Sequence, residues 1–173
     1  MDKPISLVFV GDDFVGKTSF VYSILNKQLQ QQYVLGVYEQ IASKCTINNK
    51  VISYNLVDTP VYEDYDKIKD LSSFKDNSIF IMCYAVNNSS SLFGLVQWTQ
   101  QIRSQGVLGP LVLLGMKDDL KYDASSIVTQ KQLQFVKDKI GAQLDLVCST
   151  ENKYNTHFVI DQTLKLARKQ YQQ

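Results

Sequence analysis

The sequence predicts an α/β domain in which helices cover both faces of a mostly parallel sheet. Three observations predict this fold. Short apolar runs alternate with helical patterns along all 173 residues, which is typical of parallel sheets with crossover helices. The first run, Ile5–Val10, leads into a loop and then a helix. The run at residues 78–86 is continuously apolar, as in strands covered on both faces. At this length we expect one domain, residues 1–173.

The first half of the chain predicts a strand, a helix and a hairpin. The helix is predicted over residues 19–25 and ends near residues 26–27. A glutamine-rich stretch at residues 28–32 indicates an exposed connection. Residues 41–47 and 51–57 then predict two strands joined by a turn at residues 48–50, because extended apolar segments flank a polar, asparagine-containing link.

The second half alternates strands with helices. Ser89, Ser90 and Ser91 can cap the helix that runs through Ile102, and Thr129 with Gln132 forms the pattern of a capping box. The strands are predicted at residues 78–86, 111–114 and 144–147, and the later helices through residues 135–140 and 158–166.

Charge and hydropathy narrow the range of partners. The net charge of +1 gives no electrostatic reason to expect nucleic acid or an anionic membrane as a partner. No apolar run is long enough to span a membrane. Asp2 stands where N-myristoylation needs glycine, and residues 168–173 contain no cysteine for prenylation. We therefore expect no direct lipid anchor.

The cysteines predict a reducing compartment. Cys45, Cys83 and Cys148 are scattered through apolar stretches, which favours structural thiols in a cytoplasmic protein. Their spacing matches no metal-binding pattern, and His157 is the one histidine in the chain.

A phosphate-binding pattern, G-x-x-x-x-G-K-[ST], occupies residues 11–18. It follows a predicted strand and begins a predicted helix, which is the context that the pattern requires. Backbone N–H groups of such a loop point at phosphate oxygens. Lys17 is expected to reach the β and γ phosphates, and the hydroxyl of Thr18 to ligate Mg²⁺. The candidate phosphate-binding residues are Asp13, Phe14, Val15, Gly16, Lys17, Thr18 and Ser19. The alternative is a chance match.

Further candidates stand at the ends of three later strands. Asp58 is placed to be a second Mg²⁺ ligand, although an Asp before Pro60 can also simply start a turn. Lys117 and Asp119 follow another strand. A carboxylate there can accept from both N1–H and the amine of guanine, which adenine cannot match. Ser149 and Thr150 follow the last strand. Each of these stretches alone can be an ordinary turn.

Together the four stretches resemble the Ras superfamily of small GTPases over essentially the whole chain, and the Rho branch most. Residues 33–38 and 58–66 resemble the first and second Rho switches, and residues 114–120 the guanine-reading stretch. Met116 stands where the family has Thr or Asn. The segment between Asp119 and Cys148 is too short for the extra helix of Rho proteins.

The resemblance implies a three-layer fold with a six-stranded sheet, bound GTP or GDP, and Mg²⁺. It also implies that effector or regulatory proteins bind the switch regions, and we expect a monomer. The switch residues carried over from the resemblance are Tyr33, Gly36, Val37, Tyr38, Val61, Tyr62 and Tyr65.

The chain departs from this family where hydrolysis takes place. Gly36 replaces the Thr that ligates Mg²⁺, and Val61 replaces a mobile Gly. Tyr62 replaces the Gln that orients the attacking water, so no catalytic residue is intact. Asp13 replaces a Gly near the γ-phosphate, and Phe14 is bulkier than the usual Ala or Gly. These departures predict that hydrolysis of GTP is very slow or absent.

Three hypotheses follow. We favour a guanine-nucleotide-binding module that recognises partners through its switch regions. A conventional, slowly cycling GTPase uses the same binding residues and differs only in the rate of the chemistry. A phosphate-loop ATPase or kinase is the third, and Asp119 argues against it because a carboxylate there selects guanine.

Overall fold

The protein forms one six-stranded sheet with helices on both faces. The computed structural model describes residues 3–25, 39–59, 71, 74, 76–122 and 127–171. The strands lie in the order β2-β3-β1-β4-β5-β6, and every neighbouring pair is parallel except β2 with β3. They are β1 (Ile5–Val10), β2 (Glu39–Ile47), β3 (Lys50–Asp58), β4 (Ser78–Ala85), β5 (Leu111–Met116) and β6 (Leu144–Val147).

The antiparallel pair is the predicted hairpin, and its turn is set by two asparagines. Ile47 pairs with Lys50, so Asn48 and Asn49 form a two-residue connection with φ values of 50° and 60°. Both central residues of such a turn need positive φ, which asparagine tolerates better than most residues do. The strands extend a few residues beyond the predicted bounds.

Two apolar cores, one on each face of the sheet, hold the layers together. The helices α1 (Lys17–Ile24) and α4 (Thr156–Tyr171) pack on one face, and α2 (Ser89–Ser104) and α3 (Gln130–Ile140) pack on the other. All eight residues of β4 are buried, as its unbroken apolar run predicts. This arrangement confirms the predicted three-layer α/β fold. The helical core residues are Phe20, Val21, Ile24, Val159, Ile160, Leu164 and Ala167 on the first face, and Leu92, Leu95, Trp98, Ile102, Val136 and Ile140 on the second.

The start of α2 corrects a prediction. The serines at positions 89–91 do not cap this helix but form its first turn, and Asn88 is the cap. The Asn88 side-chain oxygen accepts from the backbone N–H groups of Ser90 at 3.0 Å and Ser91 at 3.4 Å. The Ser91 hydroxyl accepts from the N–H of Ala85 at 3.0 Å. The helix start is thereby attached to the end of β4.

The start of α3 confirms the capping box. The Thr129 hydroxyl accepts from the N–H of Gln132 at 3.3 Å, and the Gln132 side chain accepts from the N–H of Thr129 at 2.8 Å. Two N–H groups that the helix itself cannot pair are satisfied in this way.

Replacing the cap residue is expected to destabilise the fold. Thr129→Ala should lower the free energy of unfolding by about 1 kcal/mol, because it removes the acceptor of the Gln132 N–H. Urea denaturation followed by circular dichroism measures this. Thr129→Ser, which keeps the hydroxyl, is the matched control and should lose much less. Equal midpoints for the two variants would contradict the assigned role of the hydroxyl.

Two further sequence predictions concern connections. From Asp118 to Cys148 the structure describes a 3-10 turn at Asp118–Leu120, then α3 and β6, and residues 123–126 are not among those described. The glutamine-rich stretch at residues 28–32 also lies outside the described residues.

The helices that the structure describes include none with the length and hydropathy required to cross a bilayer.

Candidate functional site

The candidate residues meet at one edge of the sheet. The four parallel strands β1, β3, β4 and β5 point the same way as β6, so their carboxyl ends form a common edge. Ligands of open α/β sheets bind at such an edge, where the order of the strands reverses. Here the chain continues from β1 to the β3 side of the sheet and from β4 to the β5 side, so the reversal lies between β1 and β4. β1 leads directly into the phosphate-binding loop. Asp58, Lys117 and Ser149 follow or end neighbouring strands.

The shape of the loop depends on two glycines. A Cβ on Gly11 would lie 2.2 Å from the backbone oxygen of Cys83, so only glycine lets the loop leave β1 this close to β4. Gly16 precedes α1 with φ of 113°, which side chains rarely adopt. Phe14 also has a positive φ, 58°, and its side chain is 91% exposed.

Lys17 lies inside the loop. Its Nζ donates to the backbone oxygens of Gly11 at 2.7 Å and Asp12 at 2.8 Å, and only 4% of the residue is exposed. Burial lowers the pKa of Lys17, and the acidic groups around it, which include Asp58 and Asp13, oppose that shift. The loop thus holds a buried amine at the place where a phosphate-binding loop faces its anion.

Thr18 and Asp58 bring two oxygen donors together. The Thr18 hydroxyl donates to Asp58 Oδ2 at 2.6 Å, although the residues lie 40 positions apart. Beside them the Thr59 hydroxyl donates to the backbone oxygen of Phe9 at 2.6 Å, which fixes the end of β3 against β1. A hydroxyl and a carboxylate are hard oxygen ligands of the kind that Mg²⁺ prefers, so this pair fits the predicted metal.

The base-side candidates are also in contact. The hydroxyl of Ser149 donates to Asp119 Oδ1, and Ser149 is fully buried while Asp119 is exposed. The backbone N–H of Asp118 donates to the oxygen of Cys148 at 3.1 Å, which joins the two strand ends. The neighbouring carboxylate, Asp118, instead pairs with Lys121 at 3.1 Å. The structure therefore distinguishes Asp119 from Asp118 by its partner.

Met116 joins the two halves of the site through apolar contact. It is 1% exposed, and the Cys148 thiol lies 3.5 Å from its sulfur. A Cβ built on Gly16 would lie 3.8 Å from the Cβ of Met116, so the side chain also packs against the phosphate-binding loop. Burial raises the pKa of Cys148 to about 12, which keeps it a neutral thiol. Met116 thus connects the strand end to the loop by packing and by one weak hydrogen bond from the Cys148 thiol.

A cleft of about 300 Å³ lies over this edge. It places Lys117 opposite the phosphate-binding loop, and three of its lining residues, Ala85, Asn87 and Asn88, were not predicted from the sequence. Their position at the end of β4 or directly after it, at the shared strand edge, is the signal that identifies them. The remaining lining residues are Asp13, Phe14 and Val15. A larger cleft of about 450 Å³, beside α4 and Asn48, contains none of the candidate residues.

The loop residue Asp12 was also missed. Its Oδ1 accepts from the indole N–H of Trp98, on α2, at 2.7 Å. The two residues are 86 positions apart, so no local pattern joins them.

The remaining candidates divide into two groups. Ser19 follows Thr18 in α1 and Thr150 follows Ser149, and both are half-buried. The predicted switch residues lie outside the described residues, and their roles stay predictions. They are Tyr33, Gly36, Val37, Tyr38, Val61, Tyr62 and Tyr65.

Comparison with known proteins supplies the family. The Ras family profile matches residues 6–169. The Rho-related GTP-binding protein RhoF of Bos taurus is 30% identical over 95% of this chain and 81% of its own. The Ras-like GTP-binding protein RHO1 of Entamoeba histolytica is 28% identical over 94% of this chain and 75% of its own, and RhoL of Drosophila melanogaster is 26% identical over 94% and 86%. With its six-stranded sheet and its strand-loop-helix start, the chain belongs to the Ras family of small GTPases, in the Rho branch.

Proposed function

We propose that this protein binds GTP or GDP with Mg²⁺, hydrolyses GTP very slowly or not at all, and acts mainly by binding partners through its switch regions. The observation that carries the proposal is the meeting of one buried lysine and two separate side-chain pairs at one sheet edge. Lys17 lies in the phosphate-binding loop, Thr18 contacts Asp58, and Asp119 contacts Ser149. Relatives named as GTP-binding proteins support the same assignment.

The phosphate and metal side follows from the loop. Backbone N–H groups at the start of α1 and the buried amine of Lys17 favour a polyphosphate. Thr18 Oγ1 and Asp58 Oδ2, already 2.6 Å apart, would hold Mg²⁺ from the protein side. When bound, the ion neutralises charge on the β and γ phosphates.

The base side follows from Asp119. Its carboxylate has two oxygens, and guanine offers two donors, N1–H and the exocyclic amine, at one edge. The hydroxyl of Ser149 donates to one carboxylate oxygen and so fixes the orientation of the carboxylate. Because each carboxylate oxygen can accept more than one hydrogen bond, both oxygens can still accept from guanine. This contact supports selection of guanine over adenine.

Impaired hydrolysis is supported by the loop and by the residues outside the described part of the chain. Asp13 lines the cleft beside Phe14. A carboxylate there repels the γ-phosphate, and it also repels the negative charge that develops on water as it attacks. Gly36, Val61 and Tyr62 lack the side chains or backbone freedom that the chemistry uses. Partner binding is then the remaining function of the switch regions.

Near-neutral charge and free cysteines support action in the cytoplasm, and we propose a monomer of one domain.

The direct test identifies the nucleotide. Purified protein is denatured, and the released nucleotide is separated by chromatography, followed by titration of the emptied protein with fluorescent GDP, GTP and ATP analogues. We expect guanine nucleotide and a strong preference over ATP. Equal affinity for ATP and GTP would overturn the proposal.

Asp119→Asn is expected to change base preference. The amide can accept from N1–H but offers an N–H where guanine also offers one, so affinity for GTP should fall about 10- to 100-fold. Xanthine nucleotides, which present an oxygen there, should gain. Competition against fluorescent GDP measures both.

The neighbouring Asp118 provides the matched control. Asp118→Asn removes the same charge one position away, where the carboxylate pairs with Lys121, and should leave base preference unchanged. A xanthine preference in Asp118→Asn, or none in Asp119→Asn, would show that the base is read elsewhere.

A further inference from the structure

Three carboxylates crowd the phosphate-binding amine. Asp12, Asp13 and Asp58 all lie close enough to Lys17 to favour its charged form. Asp12 also contacts Lys17 through its backbone, because its carbonyl oxygen accepts from Lys17 Nζ at 2.8 Å. A carboxylate on this residue could pair with the amine and so compete with phosphate for it.

The Asp12 side chain instead contacts α2. Its Oδ1 accepts from the indole N–H of Trp98 at 2.7 Å, and Trp98 is 6% exposed. Its Oδ2 lies 3.0 Å from the place where a Cβ on Gly94 would stand. The helix thus supplies both a donor for the carboxylate and, at Gly94, the space that the carboxylate occupies.

The strength of this contact is large enough to matter for binding. A hydrogen bond to a charged group changes an equilibrium constant by roughly 10- to 100-fold, which is more than a hydrogen bond between two neutral groups does. Without the Trp98 donor, the half-buried Asp12 carboxylate would lose this partner, and Lys17 is close enough to attract it.

We propose that Trp98 and Gly94 are positioning residues for nucleotide phosphate: they hold the Asp12 carboxylate on α2 and so leave Lys17 for the ligand. This inference rests on the proposed nucleotide binding and deepens it. It assigns to α2 a part in phosphate affinity although this helix follows a different strand from the phosphate-binding loop.

The test measures affinity for GDP with Mg²⁺ in the full chain. Trp98→Phe keeps an aromatic ring but loses the N–H donor, and should weaken binding about tenfold or more. Adding Asp12→Asn to this variant removes the competing charge. The double variant should return to within about threefold of the wild-type affinity.

Gly94→Ala is an independent second variant. The added methyl displaces the Asp12 carboxylate without touching the indole, so binding should also weaken, and Asp12→Asn should also restore it. If Trp98 and Gly94 act only through packing, Asp12→Asn should not restore GDP binding in either variant. Thermal unfolding of every variant shows whether it remains folded.

The outcomes separate this inference from the proposed function. If the wild-type protein binds GDP and both single variants bind GDP with the wild-type affinity, the inference is wrong and the proposed function stands. Weak binding that Asp12→Asn does not restore also refutes it, because the defect is then one of packing. A wild-type protein that binds no guanine nucleotide refutes both.

Discussion

Single-turnover hydrolysis of GTP by this protein is expected to be very slow, and a Rho-type activating protein should not accelerate it. An arginine finger supplied by such a protein contributes about 10³- to 10⁵-fold where it operates. Here Asp13 stands in the loop, half-buried and lining the cleft beside Phe14. Both the water and the finger would have to enter the space beside this carboxylate.

The other departures act on the same step. Tyr62 has a phenol in place of the amide that orients water. A phenol donates and accepts at a single oxygen, whereas an amide has a separate acceptor oxygen and donor nitrogen. Gly36 offers no ligand to Mg²⁺, and Val61 is β-branched and resists unusual backbone angles. The GTP and GDP forms should therefore differ little in structure, and a ligand with similar contacts in both states shifts no population.

Reversions measure how these effects combine. Tyr62→Gln alone should not restore hydrolysis, whereas Asp13→Gly, Gly36→Thr and Tyr62→Gln together should raise the rate. The assay uses preloaded GTP and counts released phosphate, and a conventional Rho protein confirms that the activator is functional. Ordinary turnover of the unmodified protein, accelerated by the activator, would contradict the prediction.

Lys17→Ala is expected to abolish most binding of guanine nucleotide. The change removes the amine that donates to Gly11 and Asp12, and with it the positive charge that offsets the nearby Asp13 and Asp58. A charge-assisted contact alone accounts for about 10- to 100-fold in affinity, and the uncompensated negative charge adds to the loss.

Fluorescent GDP titration measures the effect on Lys17→Ala. Lys50→Ala is the matched control, because it removes an equal charge from an exposed position in the hairpin and should bind as the wild type does. Unchanged affinity in Lys17→Ala would mean that phosphate does not bind in the loop at residues 11–18.

Much of the fold could be predicted because its signals are local. The apolar run of β4 and the capping box at Thr129 each lie within a few consecutive residues. The order of the strands could not be predicted from such patterns, because pairing joins segments far apart, as in β1 with β4. The sequence predicts a serine cap for α2, whereas the structure has Asn88 there. The pattern cannot separate them, because Asn88 precedes three residues that also cap helices well.

The same distinction applies to the candidate site. The phosphate-binding loop is a local pattern with a specific spacing, and strand-end residues such as Asp58 and Asp119 are located by the strands before them. The contact between Asp12 and Trp98 spans 86 positions and depends on how α2 crosses the sheet. Only the folded chain brings this pair together.

The Met116 contact determines how the end of β5, where we propose that guanine is read, is kept in place. A strong hydrogen bond fixes direction and fails abruptly when its geometry is lost. Met116 instead accepts only a weak hydrogen bond from the Cys148 thiol, and its dispersion contacts with the loop decline gradually with distance. Methionine is also flexible and adapts to irregular space. We therefore expect the alignment of the strand end with the phosphate-binding loop to tolerate small displacements without an abrupt loss of contact.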